Sequence, residues 1–401
     1  MVASYYKPDG GPAAPLYAML CEGLVARGHH VIVITAVPHY PSGKVPTRYK
    51  RKWLDRKVEK GVEVFRVGLP SVDRTKLYWR LLQFVYFQVA ATWVGRRIAY
   101  DVMLAHSPAL ESWLPVAYHT KFQKKPIIYS VHDVYPNVGV QLGIFKYAWI
   151  IKIVAGMEKY CLDKAALVRV LSKSFIPGVS ALGIPESKIR LIYDWVETDV
   201  IKPLLGENRF LVESKLDGYF VVMYAGNMGL VQGLENVLKA AELLLDYSDI
   251  RFVFVGDGAS RKSLEATSKK IGLSNVDFFP YQPREKMTEI FASANVSLVS
   301  LIQGTGLGAL PSKIYSILAS GKPLIAIIDP DSETREVVQT SQSGICVNPD
   351  SPQELAQAIL RLRNDPILSQ NLGENGRRYV VNHHSPSFAA EEFEKMFLEV
   401  V

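Results

Sequence analysis

The sequence predicts an α/β protein built from two Rossmann-like, doubly wound parallel-sheet domains facing an interdomain cleft. Three observations carry this. Short β-branched runs alternate with helix-length stretches along the whole chain. Most of those runs are continuously apolar, as in strands buried on both faces of a parallel sheet. The series breaks once, in the polar stretch VETDVIKPLLGENRFLVESKLDG (196–218) with Pro203 and Gly206, and then begins again. A length of 401 residues and a hydrophobic content of 48% suit two such domains and exclude a disordered chain.

The first domain spans 1–200. Its strands are read at HVIVITAV, VEVFRVG, DVMLAH, PIIYSVH, ALVRVLS and IRLIY, with helices between them such as 13–27 and 108–121. A doubly wound sheet needs a central strand ahead of the first helix. Only a few residues precede YYKPDGG, so that strand is expected to be clipped or to begin upstream. LLQFVYFQVAATWVG (81–95) is uncharged and bounded by Arg80 and Arg96-Arg97. A bilayer span needs about 20 residues, so this stretch reads as a buried or interfacial helix. The second domain, 201–384, has strands at FVVMYAG, IRFVFVG, VDFFPY, NVSLVSL, PLIAII and GICVNP. PSFAAEEFEKMFLEVV then forms an amphipathic helix free to pack on either domain.

The formal charge of +7 is unevenly spread: residues 1–200 carry +12 and the remainder −5. The densest basic run, TRYKRKWLDRKVEK (47–60), is either a solvated loop or a contact for an anionic membrane surface. No recognition motif accompanies the charge, so nucleic acid is disfavoured. Cys21, Cys161 and Cys346 lie far apart in apolar contexts. They read as reduced core thiols of a cytosolic protein, not as disulfides or a metal site. No signal peptide is visible.

In such sheets ligands bind at the carboxyl ends of the strands, so the loops there carry the chemistry. Gly10-Gly11 precede the first helix and let a ligand approach its N–H groups, or form an ordinary turn. PIIYSVH ends in His132-Asp133, a strand-end histidine able to act near neutral pH or to sit in the core. His106 has a weaker claim of the same kind. In AGNMGLVQG (225–233) glycines run from a strand toward a helix, as in a phosphate-binding turn. It is neither G-x-G-x-x-G nor a Walker loop, which disfavours a dinucleotide. GDG (256–258) reads best as a tight turn. GTGLGALPSK (304–313) places glycines and Lys313 at another helix start. Two such loops in one domain point to a diphosphate-bearing ligand there, with its reacting end turned toward the other domain.

In order and spacing, YAGNMGLVQGLENVLKAAELL, FVGDGASRKSLE, FFPYQPREKMTEIFASANVSLVSL and LPSKIYSILASGKPLIA resemble the donor-binding domain of glycosyltransferase family 4, which has the GT-B fold. GGPAAPLYAMLCEGLVARGHHVIVIT, HSP, HDVYPN, LSKSF and IRLIYDWVETDVIKP resemble its acceptor domain. The likeness is greatest to the branch that builds bacterial capsule, O-antigen and exopolysaccharide. The resemblance implies transfer of a sugar from a nucleotide sugar, most often UDP-linked, with retained configuration and with neither metal nor other cofactor. The acceptor is lipid-linked or a saccharide, met at the cytoplasmic membrane face. It further implies that Gly10 and Gly11 line the ligand cleft, that His132 lies beside the transferred sugar, and that Asp133 supports it. Gly226, Asn227, Gly229 and Gly233 would shape the diphosphate loop, and the backbone at Tyr281-Gln282 would meet the base. Ser312, Lys313 and Ser316 would face diphosphate and ribose, with Lys173 a further phosphate contact. The helix at 385–401 would return to the first domain.

The chain also departs from that pattern. Many members have Arg at the position of Asn227, Lys near Val231, and two glutamates where this chain has Gly308 and Ser316. Lys313, Lys173 and two helix starts are left to meet the diphosphate charge, and Ser316 to meet a ribose hydroxyl. Two other readings stay open: a GT-B-type nucleotide-sugar epimerase, and a non-catalytic partner subunit that binds nucleotide or lipid.

Overall fold

The computed structural model describes residues 1–11, 13–50, 52–73, 76–133, 147–305 and 310–401. The chain forms two compact units: Met1–Asp194 together with Pro386–Val401, and Trp195–Ser385.

The first unit contains β1 (Ile32–Ala36), β2 (Leu54–Glu59), β3 (Val62–Val67), β4 (Met103–His106), β5 (Ile127–Val131), β6 (Leu167–Val170) and β7 (Ile189–Leu191). They hydrogen-bond in the orders β1-β3-β2 and β4-β5-β6-β7. Three residues join the two halves. Val2 bridges Ile34 in parallel, the Ala3 N–H donates to the Ile34 carbonyl at 3.1 Å, and the Val2 N–H donates to the Leu104 carbonyl at 3.0 Å. Met1–Ala3 thus occupy the central-strand position between β1 and β4.

The basic run 47–60 is not a loop throughout. Its second half is β2, an antiparallel edge strand paired with β3 through the positive-φ turn Lys60-Gly61. Cations along an edge strand discourage pairing with other chains. Several of them are locally neutralised: Lys52 bonds Asp55 at 2.9 Å and Arg56 pairs with Glu63.

Helices Leu77–Gly95, Ala109–Phe122 and Ala148–Lys164 lie side by side in one layer of this unit. Helix Ala14–Ala26 packs with the final helix, Pro386–Leu398. A Cβ on Gly23 would come within 2.8 Å of Ala390, so the glycine sets how closely these two helices approach. Phe393 is fully buried near the Arg169 guanidinium, while the Arg27–Glu394 and Arg190–Glu399 pairs tie the helix at its surface.

The second unit is a six-stranded, all-parallel sheet: β8 (Phe220–Ala225), β9 (Ile250–Val255), β10 (Val276–Phe279), β11 (Val296–Ser300), β12 (Leu324–Ile327) and β13 (Gly344–Val347). Its order is β10-β9-β8-β11-β12-β13. Alternate residues of β8 serve two cores, Val222 and Tyr224 in one, Val221 and Met223 in the other. Burial on both faces explains the continuous apolar runs. The connection leaves β8 on one side and returns on its other side at β11. That reversal opens a crevice at the carboxyl ends of β8 and β11.

The packing of the final helix yields a contrast to test. Phe393→Ala should destabilise the protein by about 3–5 kcal/mol in urea titrations, because it empties a closed site. Arg190→Ala breaks an exposed ion pair and should cost less than about 1 kcal/mol in the same measurement.

Candidate functional site

The loops at the β8/β11 reversal are organised around one ammonium group. Lys313 opens helix Lys313–Ala319 and donates to the Tyr224 hydroxyl at 2.6 Å. Its Nζ also lies 3.9 Å from the centroid of the Tyr224 ring. Tyr224 in turn donates to the Asn227 carbonyl at 2.6 Å. No ion pair neutralises Lys313 among the described residues. Burial pushes the lysine pKa down to about 8.

The backbone beneath this lysine is held by close approach. A Cβ on Gly226 would lie 3.2 Å from the Lys313 Nζ. A Cβ on Gly256, whose φ is +144°, would lie 2.0 Å from the Gly226 carbonyl oxygen. One on Gly258 would lie 2.4 Å from the Met228 carbonyl oxygen. The GDG turn is therefore the support of the neighbouring loop, which its reading as a simple tight turn did not anticipate. Two hydrogen bonds seal the contact, Met228 N–H to the Asp257 carbonyl at 2.7 Å and Ser260 N–H to the Met228 carbonyl at 2.9 Å. The helix after AGNMGLVQG starts at Glu235, later than the sequence suggests, because Leu230–Gln232 form a short 3-10 turn and Gly233 adopts a left-handed conformation.

Asn227 is exposed and Gly229 half-buried on this loop. Ser312 is exposed, Ser316 is half-buried, and neither hydroxyl has a hydrogen-bond partner among the described residues. Tyr281 is exposed just past β10, and the Gln282 side-chain amide turns back to the Pro280 carbonyl at 3.1 Å. Gly308, the other position that departs from the family pattern, lies outside the described residues, as does VYPN of the HDVYPN motif.

In the first unit a second cluster gathers at the strand ends. The His132 Nε2 is 3.3 Å from the Tyr17 hydroxyl and 3.5 Å from the Ser130 Oγ. The His132 N–H donates to the Ser107 Oγ at 2.8 Å. Burial, aided by the nearby Arg169 guanidinium, pushes the His132 pKa down to about 4. Arg169 is itself fully buried and donates to the Ile192 carbonyl, the Ser130 Oγ and the Asp194 carboxylate. Tyr17 lies against His106 with ring centroids 4.1 Å apart and the planes tilted by 31°. Burial holds His106 well below its usual range, and neither of its ring nitrogens has a hydrogen-bond partner among the described residues. Asp133 has a carboxyl raised by lost hydration, and no hydrogen bond links it to His132 among the described residues. Lys173 is exposed in the loop after β6.

Gly10 and Gly11 differ. The Gly11 N–H is committed to the buried Asp9 carboxylate at 3.2 Å, which also accepts from the N–H groups of His39 and Tyr40. A Cβ on Gly11 would strike the Tyr5 ring at 2.6 Å, so packing alone requires this glycine. At Gly10 the nearest atom to such a Cβ is 3.9 Å away, which leaves that side open.

Tyr17, Ser107, Ser130, Arg169 and Tyr224 belong to these clusters but were not anticipated. Arg169 sits inside the run LVRV, where an alternating charge ordinarily signals a solvent-facing position.

Comparison with known proteins bears on both clusters. The profile described as "Glycosyl transferase 4-like domain" matches residues 10–195, and that described as "Glycosyl transferases group 1" matches residues 207–379. The putative colanic acid biosynthesis glycosyl transferase WcaI of Escherichia coli K12 is 26% identical over 364 residues, 88% of this chain and 89% of its own length. Sucrose-phosphate synthase of Thermosynechococcus elongatus aligns with a TM-score of 0.70 at 19% identity, over 99% of this chain and 95% of its own. HepE of Anabaena, solved in complex with UDP-glucose, aligns with a TM-score of 0.70 at 14% identity over 100% of both chains. These two likenesses establish the fold.

The depressed His132 pKa has a consequence for stability. The folded protein binds fewer protons than the unfolded chain between the unfolded value near 6.5 and about 4. Stability should therefore fall as pH drops through that window, by about 3 kcal/mol from this residue. His132→Gln should remove that part of the slope in urea titrations at pH values across the window. Separately, Gly256→Ala should destabilise by at least about 2 kcal/mol, because strained φ and a backbone collision act together. Thermal unfolding reads the change.

Proposed function

The chain belongs to the family 4 type of glycosyltransferase, with the GT-B fold, and we propose that it moves a sugar from a UDP-sugar to a lipid-linked or saccharide acceptor in the synthesis of a bacterial surface polysaccharide. The observation that carries the donor side is Lys313: an ammonium held at the β8/β11 crevice by a hydroxyl and a ring, with no carboxylate against it. WcaI, named for colanic acid biosynthesis, and HepE, solved with UDP-glucose, support the polysaccharide role and the UDP donor.

In this reading the UDP diphosphate lies over the loop 226–230 and the start of helix Lys313–Ala319. The bond between the sugar's anomeric carbon and the phosphate oxygen breaks, and the acceptor hydroxyl oxygen takes its place. The acceptor proton leaves to the departing phosphate or to solvent. Negative charge grows on the leaving diphosphate, and Lys313 with nearby backbone N–H groups stabilises it. Ser312 and Ser316 offer free hydroxyls to phosphate and ribose. Tyr281 and Gln282 flank the base. No metal or other cofactor is assigned a role. Retention of configuration follows the family.

The first unit serves the acceptor and the sugar. His132 stays neutral at physiological pH, so it acts by hydrogen bonding, with Tyr17 and Ser130 orienting its ring. Gly10 leaves space for ligand, and Lys173 and Asp133 lie at the same strand ends. The basic first half draws the enzyme to an anionic membrane on its cytoplasmic face.

Calorimetry with UDP and slow UDP-sugar hydrolysis test this. Binding should weaken about 10- to 100-fold in Lys313→Met, as expected for loss of a charged hydrogen bond. In the wild type it should decline as pH rises through about 8, where Lys313 loses its proton. His132→Ala should lower hydrolysis about 100-fold while UDP still binds. Absence of UDP binding would remove the donor assignment. Binding without any turnover would favour a non-catalytic subunit.

A further inference from the structure

Helix Leu77–Gly95 is apolar on both faces. Its buried face packs Phe87, Ala90, Ala91 and Val94 into the core and also takes in Gln83, Gln88 and Thr92, only 3%, 5% and 9% exposed. These polar groups are put to use. Gln83 donates to the Pro70 carbonyl, while Gln88 donates to the Leu110 carbonyl and accepts the Leu114 N–H. The Leu114 N–H thereby gains a side-chain acceptor just ahead of Pro115, which sits inside helix Ala109–Phe122.

The outer face is apolar as well. Tyr78, Leu82, Val85, Tyr86, Val89 and Trp93 form one exposed stripe, with Val89 54% and Trp93 45% exposed. Their spacing follows a single helix face about 22 Å long. Neighbouring helices of the same layer extend it with exposed Phe122, Trp149 and Ile153. A surface helix ordinarily turns such residues inward. A contiguous apolar surface of this kind marks a docking site.

The charges around the stripe select its occupant. Helix Leu77–Gly95 contains no acidic residue. Arg96 and Arg97 lie over the Trp93 ring, 4.8 and 5.5 Å from its centroid. Lys121 lies over Phe122, and Lys152 is exposed beside Ile153. Trp53 meets Trp93 edge to face at 4.9 Å, which brings the exposed Lys50 of the basic run toward the end of the stripe. Apolar residues with Trp and Tyr, bordered by Lys and Arg, match an acyl boundary beneath anionic headgroups.

We propose that the outer face of this three-helix layer is an interfacial docking surface for an anionic bilayer, with helix Leu77–Gly95 lying in the membrane plane. Among the described residues no helix is long and apolar enough to cross a membrane, so the attachment is to one leaflet. The inference deepens the membrane part of the function proposed above and rests on it, but it does not depend on the donor assignment.

The test uses the full chain with vesicles of phosphatidylcholine, with and without phosphatidylglycerol. Wild type should co-sediment with the anionic vesicles, weakly with the neutral ones, and less as salt rises from about 0.1 M to about 1 M. Brominated acyl chains should quench its tryptophan fluorescence, and less so in Trp93→Phe. The triple variant Val85→Ser, Val89→Ser, Trp93→Ser should lose at least about tenfold in vesicle affinity. Arg96→Gln with Arg97→Gln should lose the preference for anionic lipid. UDP binding in solution should be unchanged in both variants. Vesicle binding by the triple variant equal to wild type would overturn the proposal. So would absence of wild-type binding, or light scattering that shows the stripe pairing two copies of the chain. UDP binding that persists in any of those cases leaves the donor site standing.

Discussion

The crevice of the second unit is organised around the Lys313 ammonium, which has no ion pair among the described residues. A buried ammonium is costly unless something compensates the lost hydration. At Lys313 the compensation is neutral: the Tyr224 hydroxyl and the face of its ring. That choice propagates outward. The lysine end lies close against Gly226, whose φ of +135° itself disfavours a side chain; the Gly226 carbonyl crowds Gly256; and the Met228 carbonyl crowds Gly258. A carboxylate in place of the tyrosine would hold the lysine as well and would relax none of these contacts. It would, however, cancel the charge that an anionic ligand needs. The arrangement leaves the cation positioned and its charge uncancelled.

The first unit treats its functional groups in the opposite way. Arg169 is buried but fully engaged by Ile192, Ser130 and Asp194. Its charge is thereby tied down, and what reaches His132 is an electrostatic bias toward the neutral ring. The Tyr17 hydroxyl and the Ser130 Oγ then bracket the Nε2. Tyr17 stands on helix Ala14–Ala26, which the final helix approaches closely at Gly23 and Ala390. A segment near the end of the chain thus lies against one near its beginning.

How much of this was legible depends on where each signal lies. Parallel strands buried on both faces announce themselves as apolar runs, and β8 to β13 follow the sequence closely. β2 was missed because LDRKVE is an edge strand that exposes Arg56, Lys57 and Val58 in a row and buries Asp55, so it shows no apolar alternation. Met1–Ala3 carry no pattern at all; their role comes from two neighbours that supply hydrogen bonds. His132 and Lys313 stand out as candidates in the sequence because a strand end and a helix start are marked locally. Tyr17, Arg169 and Tyr224 were not, because their roles arise only when distant segments meet. The two clusters also separate the glycines: Gly226 lies against the Lys313 ammonium, whereas Gly11 makes room for Tyr5.

Charge makes the same point at a larger scale. The first half of the chain is strongly basic, yet the residues proposed to hold a diphosphate belong to the half with a net charge of −5. Net charge acts over roughly a Debye length, about 8–10 Å in physiological salt, and steers whole molecules toward surfaces. It does not determine what a crevice holds. In the proposed reading a single desolvated ammonium in the crevice counts for more with an anion than acids that stand in water elsewhere on the unit. That reading divides the work, with attachment assigned to the basic half and recognition of an anion to the acidic half. Helix Leu77–Gly95 fits that division: one apolar face, with Phe87, Ala91 and Val94, joins the core, while a second, bordered by cations, is left exposed.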